Sequence, residues 1–468
     1  MLERFDKRMS VQWLAAIVLG AVILCWPAYL NGFPLIYADT ANYIGQVKLR
    51  SLGWTAPPFY SAFLSATDLL STTLWTPILA QGLIASSLLA ITLNQFGLRR
   101  PWSLLAACLG LSVFTSLPWV TSQLIADFFT GIAVLSLALL AFTELSQWQR
   151  VYLLLLASFA VAAHQSHIPL AFGLLLAACA IRGWQDGRRA ALQAFRRVAP
   201  APLLAAALVF SVNLFGLGRP AISPFGDIVL AARMVGDGTA LSYLRAACPA
   251  VQYRVCPHLD ELEPGGTIML WNRPALWDAL GGHKAWVAEA GRIVRGTIAY
   301  DPGAVLAAAV DNSIQQFAAM QTGETLRPWL RADGPRPLIA RFFPGELDAF
   351  DHSRQQTGRL EQDIKPLETL HVAVAWLGVA GLLTCAWLYR RDRLAFGLCL
   401  MVLLAAVGNA LITGALSEVQ NRYTARLAWV LPLVPCLVLA RQMHAGALNG
   451  SNSLRWRHDA VKLSRRSS

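Results

Sequence analysis

The 468-residue sequence predicts an all-α polytopic membrane protein with about ten transmembrane helices and an extracytoplasmic, mostly helical insertion between helices seven and eight. Three observations carry that expectation. Hydrophobic residues make up 56% of the chain and charged residues only 14%, which is more apolar surface than a soluble domain of this length can bury. Apolar runs of about 20 residues, long enough to cross the hydrocarbon of a bilayer as a helix, recur along most of the chain. Lys and Arg are distributed unevenly between the loops, so the net charge of +12 reads as a topology signal and as lipid-headgroup contact rather than as nucleic-acid binding.

The first run, Val11 to Leu30, follows Arg4, Lys7 and Arg8 and reads as a start-transfer anchor, because no Ala-x-Ala cleavage site comes after it. Trp75 to Phe96 is the second and closes on Arg99-Arg100. Trp102 to Thr143 is too long for one helix at about 42 residues, and Pro118-Trp119 with Thr121-Ser122-Gln123 divides it into a third and a fourth. Val151 to Ile181 fits either one tilted helix or two short ones hinged at His164-Gln165-Ser166-His167. Charge selects the hairpin. With it, 20 of the 39 Lys and Arg lie on the side of the termini, while the short loops opposite hold only Lys48, Arg50, Arg422 and Arg426. The other 15 lie between Arg219 and Lys365. A single helix would flip every later segment and scatter the positive charge over both faces. Val198 to Leu217, Leu370 to Tyr389, Leu394 to Ala415 and Leu427 to Ala440 then complete the set.

The resulting organisation is an N-terminal transmembrane module over 1–217 with a first extracytoplasmic loop at 31–74, an extracytoplasmic insertion over 218–368, C-terminal transmembrane helices over 369–440, and a basic cytoplasmic tail over 441–468. Both termini are expected in the cytoplasm of a multi-pass protein of the inner (plasma) membrane, with Arg455 to Arg466 held against anionic lipid. Within the insertion, Pro264-Gly265-Gly266 signals a turn, Trp286 to Ile298 is amphipathic, and Asp301-Pro302 reads as the start of a helix over Gly303 to Met320. Six cysteines sit in apolar runs as small hydrophobes. Cys248 and Cys256 alone lie in the polar insertion, where an oxidising compartment would let them close a short disulfide loop. A metal ligand set is not expected there, with only His258 nearby.

Candidate functional residues cluster at the outer ends of the helices. Asp39 stands in Pro34-Leu-Ile-Tyr-Ala-Asp-Thr-Ala-Asn-Tyr-Ile44, directly after the first run. Two roles are open to it: capping a helix that begins at Thr40, or chemistry at the membrane face. Asp127 opens an apolar helix, where an acid is costly unless it faces a cavity. Arg422 and Arg426 are one turn apart on one helix face and suit either interfacial anchoring or a bidentate hold on phosphate. His164 and His167 either fasten the hairpin or serve substrate.

The first loop, with Asp39, Tyr43, Arg50 and Pro57-Pro58-Phe59-Tyr60, resembles the opening of polytopic GT-C superfamily glycosyltransferases. The last hairpin, Glu418-Val-Gln-Asn-Arg422-Tyr423 followed by Leu431-Pro-Leu-Val-Pro435, is similar to the Arg-Tyr and Pro-x-x-Pro ending common in that superfamily. The resemblance implies transfer of a sugar from a polyprenyl-phosphate donor to an extracytoplasmic glycan or lipid acceptor, with inversion at the anomeric carbon. It implies Asp39 as catalytic base, with Tyr43, Lys48, Arg50, Tyr60, Asp127, His164, His167, Glu418, Arg422, Tyr423 and Arg426 as substrate contacts. Asp39 is followed by Thr40-Ala41 where relatives carry an Asp-x-Asp pair, so a divalent metal cofactor stays open. Membrane lipids are expected partners and nucleic acid is not. A transporter or flippase for lipid-linked saccharides, or a non-catalytic assembly partner, is the alternative.

Overall fold

The computed structural model describes residues 7–443 apart from 70–71, 263–264, 266–267, 272 and 331–333. The basic tail at 455–466, Arg4, Pro264 and Gly266 therefore lie outside the described residues. Among the described residues the chain is all-helical, and its one piece of extended pairing is an isolated bridge between Leu35 and Gln123.

Six helices are long and apolar enough to cross a membrane: Trp75–Gln95, His167–Asp186, Arg188–Leu217, Leu360–Leu388, Arg393–Leu416 and Asn421–Met443. A seventh is counted if Gly282–Tyr300 and Pro302–Ala318, bent by 105° at Asp301, form one broken span. The expectation of ten is not met on length. Val11–Leu24, Pro101–Phe114 and Phe128–Phe142 are shorter apolar helices, at about 1.5 Å rise per residue too short to cross about 30 Å of hydrocarbon unaided. Proline sets several of these limits. Pro27 falls in a separate short helix, Trp26–Asn31, after the first helix stops at Leu24, and Pro118 falls in another, Leu117–Thr121, in the predicted break. The disputed stretch folds as the hairpin, Gln147–Ala162 and His167–Asp186.

Phe128–Phe142 is buried all round from Phe128 to Ala141, which makes it the central post of the bundle. The Asn421–Met443 span seats against it because Gly131 has no side chain: a Cβ there would collide with the Trp429 indole. This contact fixes the height at which Arg426, one turn above Trp429, meets the start of the central helix. The outside of the bundle is apolar and exposed at Leu14, Leu109, Leu155, Leu176, Phe215, Leu377 and Trp387, the surface that a lipid environment covers.

Residues 218–368 divide among three cores, one of them Leu326, Leu360 and Ile364 packed with Leu35 and Trp119. Phe225, Ile228, Leu244, Tyr253, Trp286 and Ile293 build a separate small core, whereas Met320, Trp329, Ile339, Phe343 and Phe350 join the main one. Asp301 caps its helix by accepting from the Ala304 N–H at 2.8 Å, and the helix runs Pro302–Ala318 along Arg393–Leu416. There the Asn312 carbonyl comes so close to Gly414 that a Cβ would lie 2.6 Å from it. Cys248 and Cys256 are disulfide-bonded. Replacing both with serine is expected to cost the small core about 2–3 kcal/mol through the loop entropy of the unfolded chain. Limited proteolysis of the insertion would measure this as faster cleavage, with the bundle helices unaffected.

Candidate functional site

The site assembles at one end of the bundle from segments that hydrogen bonds draw together. Leu35 N donates to the Ser122 carbonyl and Leu124 N to the Leu35 carbonyl, both at 2.9 Å, so the first loop lies against the break before the central helix. The Gln355 side chain spans the same loop, accepting from Ile36 N at 2.9 Å and donating to the Ile36 carbonyl at 2.7 Å. Gln316 does the equivalent for the last hairpin, accepting from Gln420 N at 2.9 Å and donating to the Thr424 hydroxyl at 2.9 Å. Both glutamines are fully buried, where each unmade bond would carry its full desolvation cost.

Asp39 lies in the first turn of the helix Ala38–Lys48 and does not cap it. Thr40 takes that task, accepting from Tyr37 N at 3.1 Å, which leaves the Asp39 carboxylate directed elsewhere. It accepts from Arg422 Nη1 at 3.2 Å. The same Nη1 donates to Asp127 Oδ2 at 3.1 Å, and Arg426 Nη1 donates to Asp127 Oδ1 at 2.6 Å. Two carboxylates and two guanidiniums thus alternate in one chain: Asp39, Arg422, Asp127, Arg426. Arg426 is fully buried and also donates to Asn409 Oδ1 at 2.8 Å and Ser166 Oγ at 3.1 Å. The Arg422 plane lies between the rings of Tyr37 and Tyr423, each 4.5 Å away, and its backbone N–H is capped by Glu324 at 3.0 Å.

Burial separates the two acids. Asp127 keeps 4% of its side-chain exposure and Asp39 keeps 38%. Asp127 therefore holds the arginines, while Asp39 has an open side from which a reactant can approach. The surrounding protein still pushes the Asp39 carboxyl above its ordinary value, Arg422 pulling it down and the charge of Asp127 adding to the rise. Beside them runs a narrow cleft, lined by Trp119, Val120, Gln123, Asp127, Thr322 and Arg422 among others.

The other sequence candidates divide around this centre. Tyr43 is one turn along from Asp39, buried, edge-on to Tyr60 at 4.7 Å. The Tyr60 hydroxyl donates to Gln81 at 2.8 Å, so these two rings support the floor of the loop. Glu418 bonds the Gln420 amide, and Gln420 in turn accepts from Arg422 Nε at 2.6 Å. Tyr423 accepts from Arg422 Nη2 at 3.0 Å. His164 and His167 fasten the hairpin. His167 donates from Nδ1 to the Ala160 carbonyl at 2.7 Å and takes the Thr130 hydroxyl on Nε2 at 2.6 Å, and His164 accepts from Ser166 N at 3.2 Å. Burial, with Arg426 close by, holds His164 down at about 3, so it stays neutral.

Two candidates lie away from the centre. Lys48 pairs with the buried Asp68 and covers the Phe343 ring at 5.3 Å. Arg50 lies past the helix end, exposed, with φ 52. Residues that the sequence reading did not select include Tyr37, Trp119, Gln123, Gln316, Glu324 and Gln355. Tyr37 lies inside the 34–44 segment, and Trp119 and Gln123 inside the predicted break, while nothing local marks Gln316, Glu324 or Gln355. Among the described residues no three of His, Cys, Asp and Glu converge as a metal-ligand group, and the charge that faces both site carboxylates is Arg422. Comparison of the chain with family models, with curated proteins and with solved structures finds no match.

Proposed function

We propose that this protein is a membrane glycosyltransferase that moves a sugar from a polyprenyl-phosphate donor to a glycan or lipid acceptor on the extracytoplasmic side. The observation that carries the reading is the Asp39–Arg422–Asp127 contact, formed by residues 383 and 295 apart in the chain at the end of a bundle of apolar helices. A half-open carboxylate beside a guanidinium supplies the two functions that such a transfer requires. The Asp39 carboxylate takes the proton of the acceptor hydroxyl as its oxygen bonds to the anomeric carbon; the bond from that carbon to the phosphate oxygen breaks, and the phosphate leaves with the electron pair. Arg422 receives the developing charge.

The shared guanidinium links these events. While Asp39 is ionised it competes for Arg422 Nη1. Once protonated it releases that donor, which is then free for the departing phosphate. Asp127, with Arg426 behind it, keeps Arg422 in place throughout. The purified protein, given a radiolabelled polyprenyl-phosphate sugar, should release free lipid phosphate in the presence of acceptor; absence of release under every acceptor class would overturn the reading.

The proton step predicts a pH dependence. A base works only when ionised, and the Asp39 pKa is raised, so transfer should fall as pH drops through a value above the usual aspartate range of about 3.9. The acidic limb of kcat/KM measures it. Raising the surrounding negative charge further, by Asn42→Asp one turn along the same helix, should move that limb upward.

A further inference from the structure

Two buried donors in the cleft lack acceptors. Trp119 is 3% exposed and Gln123 5%, both line the cleft with Asp127 and Arg422, and among the described residues neither Trp119 Nε1 nor Gln123 Nε2 has a partner. Buried side chains seldom go unsatisfied outside sites that something else completes. Gln123 Oε1 accepts from the Thr325 hydroxyl at 3.4 Å, which leaves the NH₂ end over. The Trp119 ring is likewise held, edge-on to Trp26 at 5.3 Å. What the cleft offers a ligand is therefore an indole N–H, an amide NH₂ and a guanidinium. A set of donors beside a cation matches an anion with several acceptor oxygens.

A second crevice says what that anion is attached to. It is lined by Phe114, Met320, Val374, Ala428 and Pro432 together with Thr115, Ser116 and His371, and it shares Thr322 with the first. Ala428 is six residues beyond Arg422 on a membrane-crossing span, about 9 Å further along the helix axis. The second crevice thus adjoins the first at Thr322 and lies against the apolar part of that span.

We propose that Trp119 Nε1 and Gln123 Nε2, together with Arg422, seat a phosphate monoester carried on a hydrocarbon chain. This deepens the proposed function, since the seat would hold the lipid phosphate monoester that transfer releases, and before transfer the phosphodiester of the donor. Its test needs no turnover. Full-length protein purified in detergent is titrated with farnesyl phosphate, with farnesol and with inorganic phosphate. Farnesyl phosphate should bind at least about tenfold more tightly than either of the others, and Trp119→Phe and Gln123→Met should each weaken it by about tenfold while leaving farnesol unchanged. Should Trp119→Phe fail to fold, Gln123→Met, which keeps the side-chain length, carries the test. Unchanged affinity in the folded variants would overturn the proposal by returning the two donors to a bridging water, and equal binding of inorganic phosphate would overturn the hydrocarbon-linked source. Intact binding of farnesyl phosphate without any sugar transfer would instead remove the transferase reading and leave the seat standing.

Discussion

Asp127→Ala is expected to destabilise the folded protein by about 3–5 kcal/mol, the usual cost of removing one member of a buried ion pair. The whole cost arises from what stays behind. Arg426 is fully buried, and its Nη1 bond to Asp127 at 2.6 Å is its one contact with an ionised partner; Asn409 and Ser166 accept from it but bring no charge. Arg422 would keep Asp39. Thermal unfolding of the purified protein measures the loss. The companion variant Arg426→Met, made in the Asp127→Ala background, should recover much of it, because deleting both charges leaves nothing uncompensated. If Asp127→Ala unfolds with the wild type, the buried chain of charges is not what holds the last span against the central helix.

The same chain of charges shows which parts of the site could be read without coordinates. Asp39 and Arg422 are 383 residues apart, yet both were candidates, because each is an ionisable group at the outer end of an apolar run. Arg422 and Arg426 are four residues apart, a helical repeat that puts both on the Asp127 side. The same repeat excludes Lys48. Nine residues beyond Asp39 on the helix Ala38–Lys48, at about 100° per residue, it points to the opposite face, where it meets Asp68. Reading the helix from Ala38 rather than from Thr40 would also have freed Asp39 from capping.

What stayed illegible depends on distant partners. An indole N–H carries no mark of being unpaired, and Trp119 is unpaired only because the segment that covers it, Thr322 to Leu326, arrives from some two hundred positions later without an acceptor for it. Gln316 and Gln355 are ordinary polar residues until burial makes their amides obligatory clamps. The number of spans does not follow from hydropathy, for a different reason. Hydropathy records that Val11–Leu24 and Phe128–Phe142 are both apolar, but Phe128–Phe142, enclosed by protein, is as apolar as a helix that faces lipid, and only length and burial separate the two.

Asp39→Asn is expected to lower sugar transfer by about 10²–10⁴-fold, the range for losing a positioned general base, with little effect on folding because the side chain is 38% exposed and bonds one partner. An inactive variant alone would not separate a base from a residue that merely positions Arg422. Product binding does. Asparagine cannot compete for Arg422 Nη1 as a carboxylate does, so the variant should hold lipid phosphate as tightly as the wild type or more tightly while failing to transfer. It should also lose the acidic limb of the rate profile, since the group that titrates there is gone. Retained transfer in Asp39→Asn would remove Asp39 as the base. Loss of transfer and of lipid-phosphate binding together would make it a positioning residue for Arg422, and the proton would then have to leave by another group.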